Sequence, residues 1–327
     1  MSEFVSIASN VSGVLMVMAI GAIARWFGWL SAASDRSLAV MIANVLLPAL
    51  FLDRIASSGP TLADPSVAPA GIMDTLIPPL VGFGCTSLGF VIAMLIVRAV
   101  GPLIGIRELM VQQTFIFTVG IANYGYIPIP LAEQFFPEAV VPLLLHNVGV
   151  DIAMWSLGIL IISGDIRNGW KRVLYSPPLW AMLIAVSIQQ LGLAPMLPNA
   201  LMKAAASLGQ CAIPVGLMLS GAIIVDHWKD VQWKDAIPTL SLAFGIRLLV
   251  LPIVFLSIAK SIRLPDHLNE VLLLQAAMPA ASFPIIIAKL YHGDLPTALR
   301  VVVGTSIISL ITIPIWIVVG KQFLGIP

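Results

Sequence analysis

Long apolar runs constrain this chain more than any other feature of its sequence. A helix that crosses a bilayer needs about 18 to 20 consecutive, mostly apolar residues, and runs of that length recur along the whole chain. Short connections separate the runs, which leaves no room for a soluble domain. We therefore predict an all-α polytopic membrane protein with ten transmembrane helices. These spans, numbered 1 to 10, lie near residues 4–24, 36–55, 71–99, 108–136, 138–163, 178–194, 198–225, 236–260, 267–292 and 296–322.

Composition agrees with this prediction and excludes several functions. Of the 327 residues, 59% are hydrophobic and only 10% are charged, whereas about 25% of a soluble domain is charged. The net charge of +1 argues against a nucleic-acid partner, which requires a basic face. Cys85 and Cys211 lie in apolar runs, so we expect packing roles and neither disulfides nor a zinc site. Glu3 stands where a signal peptide carries basic residues, so the first run is expected to remain as an anchor.

Basic residues predict the orientation of the chain. The loops after odd-numbered spans hold 11 of the 17 lysines and arginines, the opposite loops hold 5, and Arg247 falls within span 8. Lysine and arginine are enriched in cytoplasmic loops, so the odd loops should be cytoplasmic and both termini should lie on the other side of the inner or plasma membrane. The polar loop at 164–177 then separates a first five-helix repeat, 1–163, from a second, 178–327.

The two halves carry weak internal similarity. "YIPIPLAEQF" at 126–135 aligns with "SFPIIIAKLY" at 282–291, and "NVLLPALFL" at 44–52 resembles "QCAIPVGLM" at 210–218. Because each half has an odd number of spans, the second half must enter the membrane inverted. These matches stand in the order that two inverted repeats require. Glu133 and Lys289, near the ends of their helices, are expected to extend to the membrane interfaces.

Prolines predict that spans 4 and 9 are broken. Proline removes a backbone donor and clashes with the preceding turn, so we expect non-helical backbone near 121–128 and 278–284. Such backbone survives in a membrane only where protein buries it or water reaches it. The half-helix N-termini beside two such breaks suit the carboxylate of an anion, and the freed carbonyls suit a cation. A packing role for each kink is the alternative.

Candidate site residues follow from the breaks and from polar groups in nearby spans. Asn123 is the leading candidate, because an amide offers donors to a carboxylate and an acceptor to a cation. The predicted substrate-binding residues are Asn123, Tyr124, Gly125, Pro128, Gln275, Pro279, Ser282 and Pro284. For Asn123 the alternative is a role in satisfying loose backbone. No catalytic residue, metal site or cofactor is predicted.

Ionisable residues within the spans suggest ion coupling. Asp151, Asn147 and His146 lie midway along span 5, and Arg247 lies midway along span 8. Ionisable groups at such depth are expensive and usually functional. Either Asp151 and Arg247 form a structural ion pair, or Asp151 changes its proton state with substrate. His146 is either a proton carrier or a hydrogen-bonded core residue.

At these residues the sequence resembles the auxin efflux carrier family, which includes bacterial permeases for malonate and related organic acids. The resemblance rests on "NYGYIPIPL" at 123–131, "AAMPAASFPIIIAKLYHGD" at 276–294, "NVLLPALFL" at 44–52 and "LGQCAIPVGLMLSGA" at 208–222. It implies ten helices with crossed spans 4 and 9, a fold shared distantly with bile-acid, arsenite and riboflavin transporters. It also implies a scaffold of spans 1, 2, 6 and 7, a transport domain of spans 3–5 and 8–10, and homodimers through the scaffold.

The sequence therefore favours a secondary transporter that moves a small organic anion by an elevator-type mechanism, with a proton, a sodium ion or the membrane potential as its driving force. A sodium-coupled symporter of the bile-acid type is one alternative. An intramembrane enzyme is another, but the sequence has no His-Glu-x-x-His, paired aspartate or Gly-x-Ser-x-Gly motif.

Overall fold

A computed structural model describes residues 2–56, 72–163, 175, 177–228, 233, 236–262 and 264–326. These residues are almost all helical, and no strand forms among them. Of the predicted central loop at 164–177, only Tyr175 and Pro177 are among them. The helices are α1 (Ser2–Trp26), α2 (Ala32–Ile55), α3 (Ile72–Val100), α4 (Leu109–Gly120), α5 (Pro128–Phe135), α6 (Pro137–Ser163), α7 (Pro177–Gln190), α8 (Asn199–His227), α9 (Ile237–Ser261), α10 (Asp266–Ala277), α11 (Phe283–Leu290) and α12 (Leu295–Leu324).

Six of these helices are long and apolar enough to cross a membrane, within the described part of the chain. They are α2, α3, α6, α8, α9 and α12. Shorter apolar stretches occupy Val11–Trp26, Leu109–Gly120 and Leu179–Gln190. The chain is therefore a helical integral membrane protein, as its composition predicts. The count of ten crossings and the inverted repeat stay predictions.

Glycines allow two pairs of helices to pack backbone to backbone. Along α1 and α8, a Cβ on Gly221 would lie 1.8 Å from the Met18 carbonyl oxygen, and one on Gly21 would lie 2.0 Å from that of Met218. Along α3 and α6, a Cβ on Gly149 would lie 1.8 Å from a carbonyl oxygen of α3. Small residues at helix interfaces allow this close approach in membranes. The α1–α8 and α3–α6 pairs are thus two closely packed units.

One buried arginine joins three helix ends. Arg25, at the end of α1, donates to Asp226 near the end of α8 at 2.8 Å and also binds Asp35 at the start of α2. The Arg25 side chain is only 6% exposed, so these carboxylates supply the counter charge that a buried guanidinium needs. The ion pairs fix α1, α2 and α8 together at one end of the molecule.

Both predicted helix breaks are present, and they contact each other. The chain is non-helical between α4 and α5 (121–127, the first break) and between α10 and α11 (278–282, the second break). Ala122 and Ala280 form an antiparallel bridge. The Asn123 N–H donates to the Pro279 carbonyl at 2.8 Å, and the Ala281 N–H donates to the Ile121 carbonyl at 3.0 Å. The contact between the breaks is therefore made by main-chain atoms.

The breaks end earlier than the sequence predicted. Pro128 is the first residue of α5, and Pro284 is the second residue of α11. The first turn of a helix leaves its N–H groups without intrahelical partners, so a proline there removes no hydrogen bond. Each proline thus begins a new half-helix. The predicted limits of 128 and 284 extended the breaks by one and two residues.

Candidate functional site

A cavity of about 440 Å³ lies against the two crossed breaks. Its wall comes from α2, α6 and α8 together with both breaks. Most of the lining side chains are apolar or aromatic. The polar side chains are those of Asn123, Tyr124, Tyr126, Asn147, Asp151, Tyr175, Ser220 and Ser282. A mostly apolar cavity with a few convergent polar groups is the usual form of a small-molecule site.

Asp151 is the one charged side chain among the described residues that line the cavity. The Tyr124 hydroxyl donates to its Oδ1 at 2.7 Å. This hydrogen bond joins α6 to the first break, because Tyr124 belongs to the break and Asp151 to the helix. A carboxylate in this position attracts cations and repels an anion unless it binds a proton. The charge of the cavity wall therefore depends on whether Asp151 carries a proton.

Amide side chains connect the first break to its neighbours. The Gln275 Nε2 donates to the Tyr124 carbonyl at 3.2 Å and to the Asn147 Oδ1 at 3.3 Å. Gln275, near the end of α10, thereby holds the backbone of the opposite break. Asn147 and Asn123 both line the cavity, and Asn123 is only 7% exposed. Asn123 thus lines the cavity, and its backbone N–H holds the contact between the two breaks.

A pair of serines joins α8 to the second break. The hydroxyls of Ser220 and Ser282 lie 3.0 Å apart, and either one can donate. Ser282 was predicted from the sequence, whereas Ser220 and Tyr126 were missed. A single serine in an apolar helix carries little signal, since it commonly bonds its own backbone. Ser220 does so as well, at 2.9 Å from the Gly216 carbonyl.

The predicted alternative of an Asp151–Arg247 ion pair is wrong. The Arg247 side chain is fully buried, and its Nε and Nη2 donate to the carbonyls of Met278 and Gln275, each at 2.9 Å. Asp151 instead accepts from Tyr124. Asp151 lines the large cavity, whereas Arg247 lines a separate small space. Similar depth along two helices does not determine which faces the helices turn toward each other. Arg247 belongs to α9, contacts the second break through the Met278 carbonyl and lies outside the large cavity.

The remaining predicted residues divide between the cavity and its support. Gly125 lines the cavity. Pro128 and Pro284 are buried in the first turns of their half-helices, and Pro279 contributes its carbonyl to the crossing. His146 is 2% exposed and lines a separate space of about 10 Å³ beside Arg247 and Gln275. The prolines and His146 therefore surround the site without lining the large cavity.

An ion pair lies at the ends of α2 and α5. The Nη2 of Arg54 donates to the Oε1 of Glu133 at 2.5 Å, and both side chains are partly exposed. Glu133 thus has a basic partner at the end of its helix, and its extension to the membrane interface stays a prediction. The side chain of Lys289 lies outside the described residues. Within the described part of the chain, no group of three or more His, Cys, Asp or Glu residues is placed to hold a metal ion.

Two comparisons relate the chain to known proteins. A family model described as a membrane transport protein matches residues 166–317. An uncharacterised transporter from Methanothermobacter thermautotrophicus is 26% identical over 322 residues, which cover 97% of this chain and 99% of that protein. The similarity to this relative therefore extends through both halves of the chain, including both breaks.

Proposed function

Since the chain belongs to the auxin efflux carrier family of membrane transport proteins, we propose that it is a secondary transporter of a small organic carboxylate anion. The observation that carries the proposal is the cavity at the crossing of two broken helices. In transporters, substrate sites form where interrupted helices meet between structural repeats. Family membership favours a carrier over an enzyme.

The ends of the half-helices favour a carboxylate as the ligand. The helices α5 and α11 both begin just after the cavity-lining breaks, at Pro128 and Phe283. A helix N-terminus has unpaired N–H groups and a partial positive charge, which bind anions. The Asn123 amide and the Ser282 hydroxyl lie on the same wall and supply further donors. Together these groups would hold a carboxylate, and the apolar wall would hold its organic part.

Asp151 favours a proton as the coupling ion. An anion beside an ionised carboxylate is repelled, and at a spacing of a few ångströms this repulsion is worth several kcal/mol even at an effective dielectric constant of about 20. A proton on Asp151 removes the repulsion and leaves a hydrogen-bond donor for the substrate. We therefore propose that Asp151 takes up a proton with the anion. Asn147, four residues earlier on the same helix, would help to orient the carboxyl group.

The position of the cavity supports an elevator-type movement. We assign α1, α2, α7 and α8 to the scaffold, and α3–α6 and α9–α12 to the transport domain. The cavity takes its wall from α2 and α8 on one side and from α6 and both breaks on the other. It would thus lie between the two domains. In this assignment the chain crosses the membrane ten times as two inverted repeats, and the scaffold also forms a homodimer.

The two ends of this interface differ. Tyr175, which is 82% exposed, and Pro177 border the cavity, and both belong to the end of the predicted cytoplasmic loop at 164–177. At the opposite end, Arg54 of the scaffold pairs with Glu133 of the transport domain. These contacts favour an inward-facing state that the outer ion pair helps to close.

Transport by the purified protein in liposomes tests the proposal. The probes are radiolabelled acetate, malonate, succinate and an aromatic carboxylate, each with a proton gradient, a sodium gradient or a potential imposed alone. We expect uptake of at least one probe, faster when the outside is acidic, and loss of that acceleration in Asp151→Asn. Protein-free liposomes give the background. Failure to move any carboxylate above this background would overturn the anion assignment.

A further inference from the structure

The strongest unexplained feature outside the large cavity is the charge of Arg247. Its side chain is fully buried within α9, in a helix that faces the second break. Transfer of an ionised group from water to such a site is expensive unless other groups compensate. The described residues beside it, which include Thr86, His146 and Gln275, bring no carboxylate. The compensation must therefore come from neutral dipoles.

Those dipoles are the carbonyls at the end of α10. Arg247 donates to the oxygens of Gln275 and Met278, each at 2.9 Å. The last carbonyls of a helix lack intrahelical partners and give its C-terminus a partial negative charge. The helix α10 ends at Ala277, and the second break follows it. The guanidinium thus neutralises the carbonyl end that the break creates.

Carbonyls of this kind are also ligands for small cations. In membrane carriers, unwound backbone and half-helix C-termini coordinate coupling ions such as sodium. We propose that Arg247 is a tethered cation that occupies the cation site of the second break, so that a sodium ion has no place there. This deepens the proposed function, because a carrier with a tethered cation at this position does not couple to sodium through the second break.

The first break differs at the matching place. The helix α4 ends at Gly120, where a Cβ on Gly89 of α3 would lie 2.9 Å from the Gly120 carbonyl oxygen. Close packing of α3, with Phe90 also against Gly120, covers this end. The two breaks therefore use different devices. At the second break a side-chain cation binds the carbonyls at the helix end, whereas at the first break close packing of α3 covers the helix end.

Removal of the tethered cation should create a sodium site. The test is thermal unfolding of the purified full-length protein in sodium chloride and in choline chloride at equal concentration, without substrate. We expect Arg247→Ala to lower the unfolding midpoint by on the order of 5 °C or more in choline. Sodium should then raise the midpoint of this variant in a saturable manner, since binding to the folded state stabilises it. Methylguanidinium at millimolar concentration should act in the same direction.

Two proteins serve as controls. Arg107→Ala removes an exposed arginine that also donates to a backbone carbonyl, that of Pro102 at 3.2 Å, and should leave the midpoint the same in both salts. Wild type should respond equally to sodium and choline. Saturable, sodium-selective stabilisation of wild type would overturn the proposal even if no variant folds. So would an Arg247→Ala protein that responds equally to both cations. Because no substrate is present, these results do not depend on whether the carrier moves carboxylates.

Discussion

Asn123→Ala separates two roles of this residue, because the structure assigns them to different atoms. The backbone N–H of Asn123 donates to the Pro279 carbonyl at 2.8 Å, and alanine retains that N–H. The amide side chain lines the cavity. We therefore expect the variant to fold with an unfolding midpoint close to that of wild type. Its effect should appear in substrate binding alone.

The expected loss follows from one hydrogen bond to a carboxylate. Such a bond to a charged group is worth about 1.5–3 kcal/mol, which corresponds to roughly a 10- to 150-fold weaker affinity. The assay is competition for uptake in proteoliposomes by the most active carboxylate probe, with thermal unfolding measured on the same preparation. Asn44→Ala is the matched control, since Asn44 is an exposed amide on α2. Unchanged affinity together with a lower midpoint would show that Asn123 has only a structural role.

Three further predictions test the packing, the gate and the topology. Gly149→Ala should destabilise the protein by about 1–3 kcal/mol, because its new methyl group would overpack against α3. Gly84→Ala is the control and should not destabilise it, because a Cβ there meets no atom within 4 Å. Equal midpoints of thermal unfolding for the two variants would contradict the close α3–α6 contact. Glu133→Gln should increase labelling of a cavity cysteine from outside by at most about fivefold, because exposed ion pairs contribute up to about 1 kcal/mol. Charge reversal of both Arg54 and Glu133 should restore the wild-type level, and wild-type labelling of Glu133→Gln would exclude a gate. Cysteines placed in the central loop and after residue 323 should show opposite accessibility in intact cells, so equal accessibility would refute ten crossings.

The positions of the breaks could be predicted from the sequence because several independent signals coincide there. Asparagine, glycine and proline within an apolar run each oppose a continuous helix near residue 125, and two prolines and a serine interrupt the apolar run near residue 280. The signal locates an interruption to within a residue or two. It does not say on which side of the proline the helix resumes. The helix can resume at the proline itself, because the first turn of a helix does not need the N–H that proline lacks.

The partners of the charged residues could not be predicted in the same way. Asp151 and Arg247 occupy similar depths in their spans, which suggested a pair. Asp151 instead binds Tyr124, and Arg247 binds the carbonyls of Gln275 and Met278 at the end of α10. Depth follows from the position of a residue along its helix, whereas the face it presents depends on how the helices are rotated about their axes. Arg54 and Glu133 are 79 residues apart, and no local pattern joins them. Pairs of side chains that are far apart in the sequence are therefore the part of the site that could not be predicted from the sequence.

The crossing of the breaks is a short piece of sheet-like pairing inside a helical protein, and its bonds run between peptide groups. Peptide groups are the same for nearly every amino acid. Side chains at Asn123 and Ser282 can therefore be exchanged while the hydrogen bonds that join the two halves persist. The atoms that join the two breaks thus differ from the side-chain atoms proposed to bind the substrate, so we expect substitutions at these positions to change the substrate preference while the fold is retained.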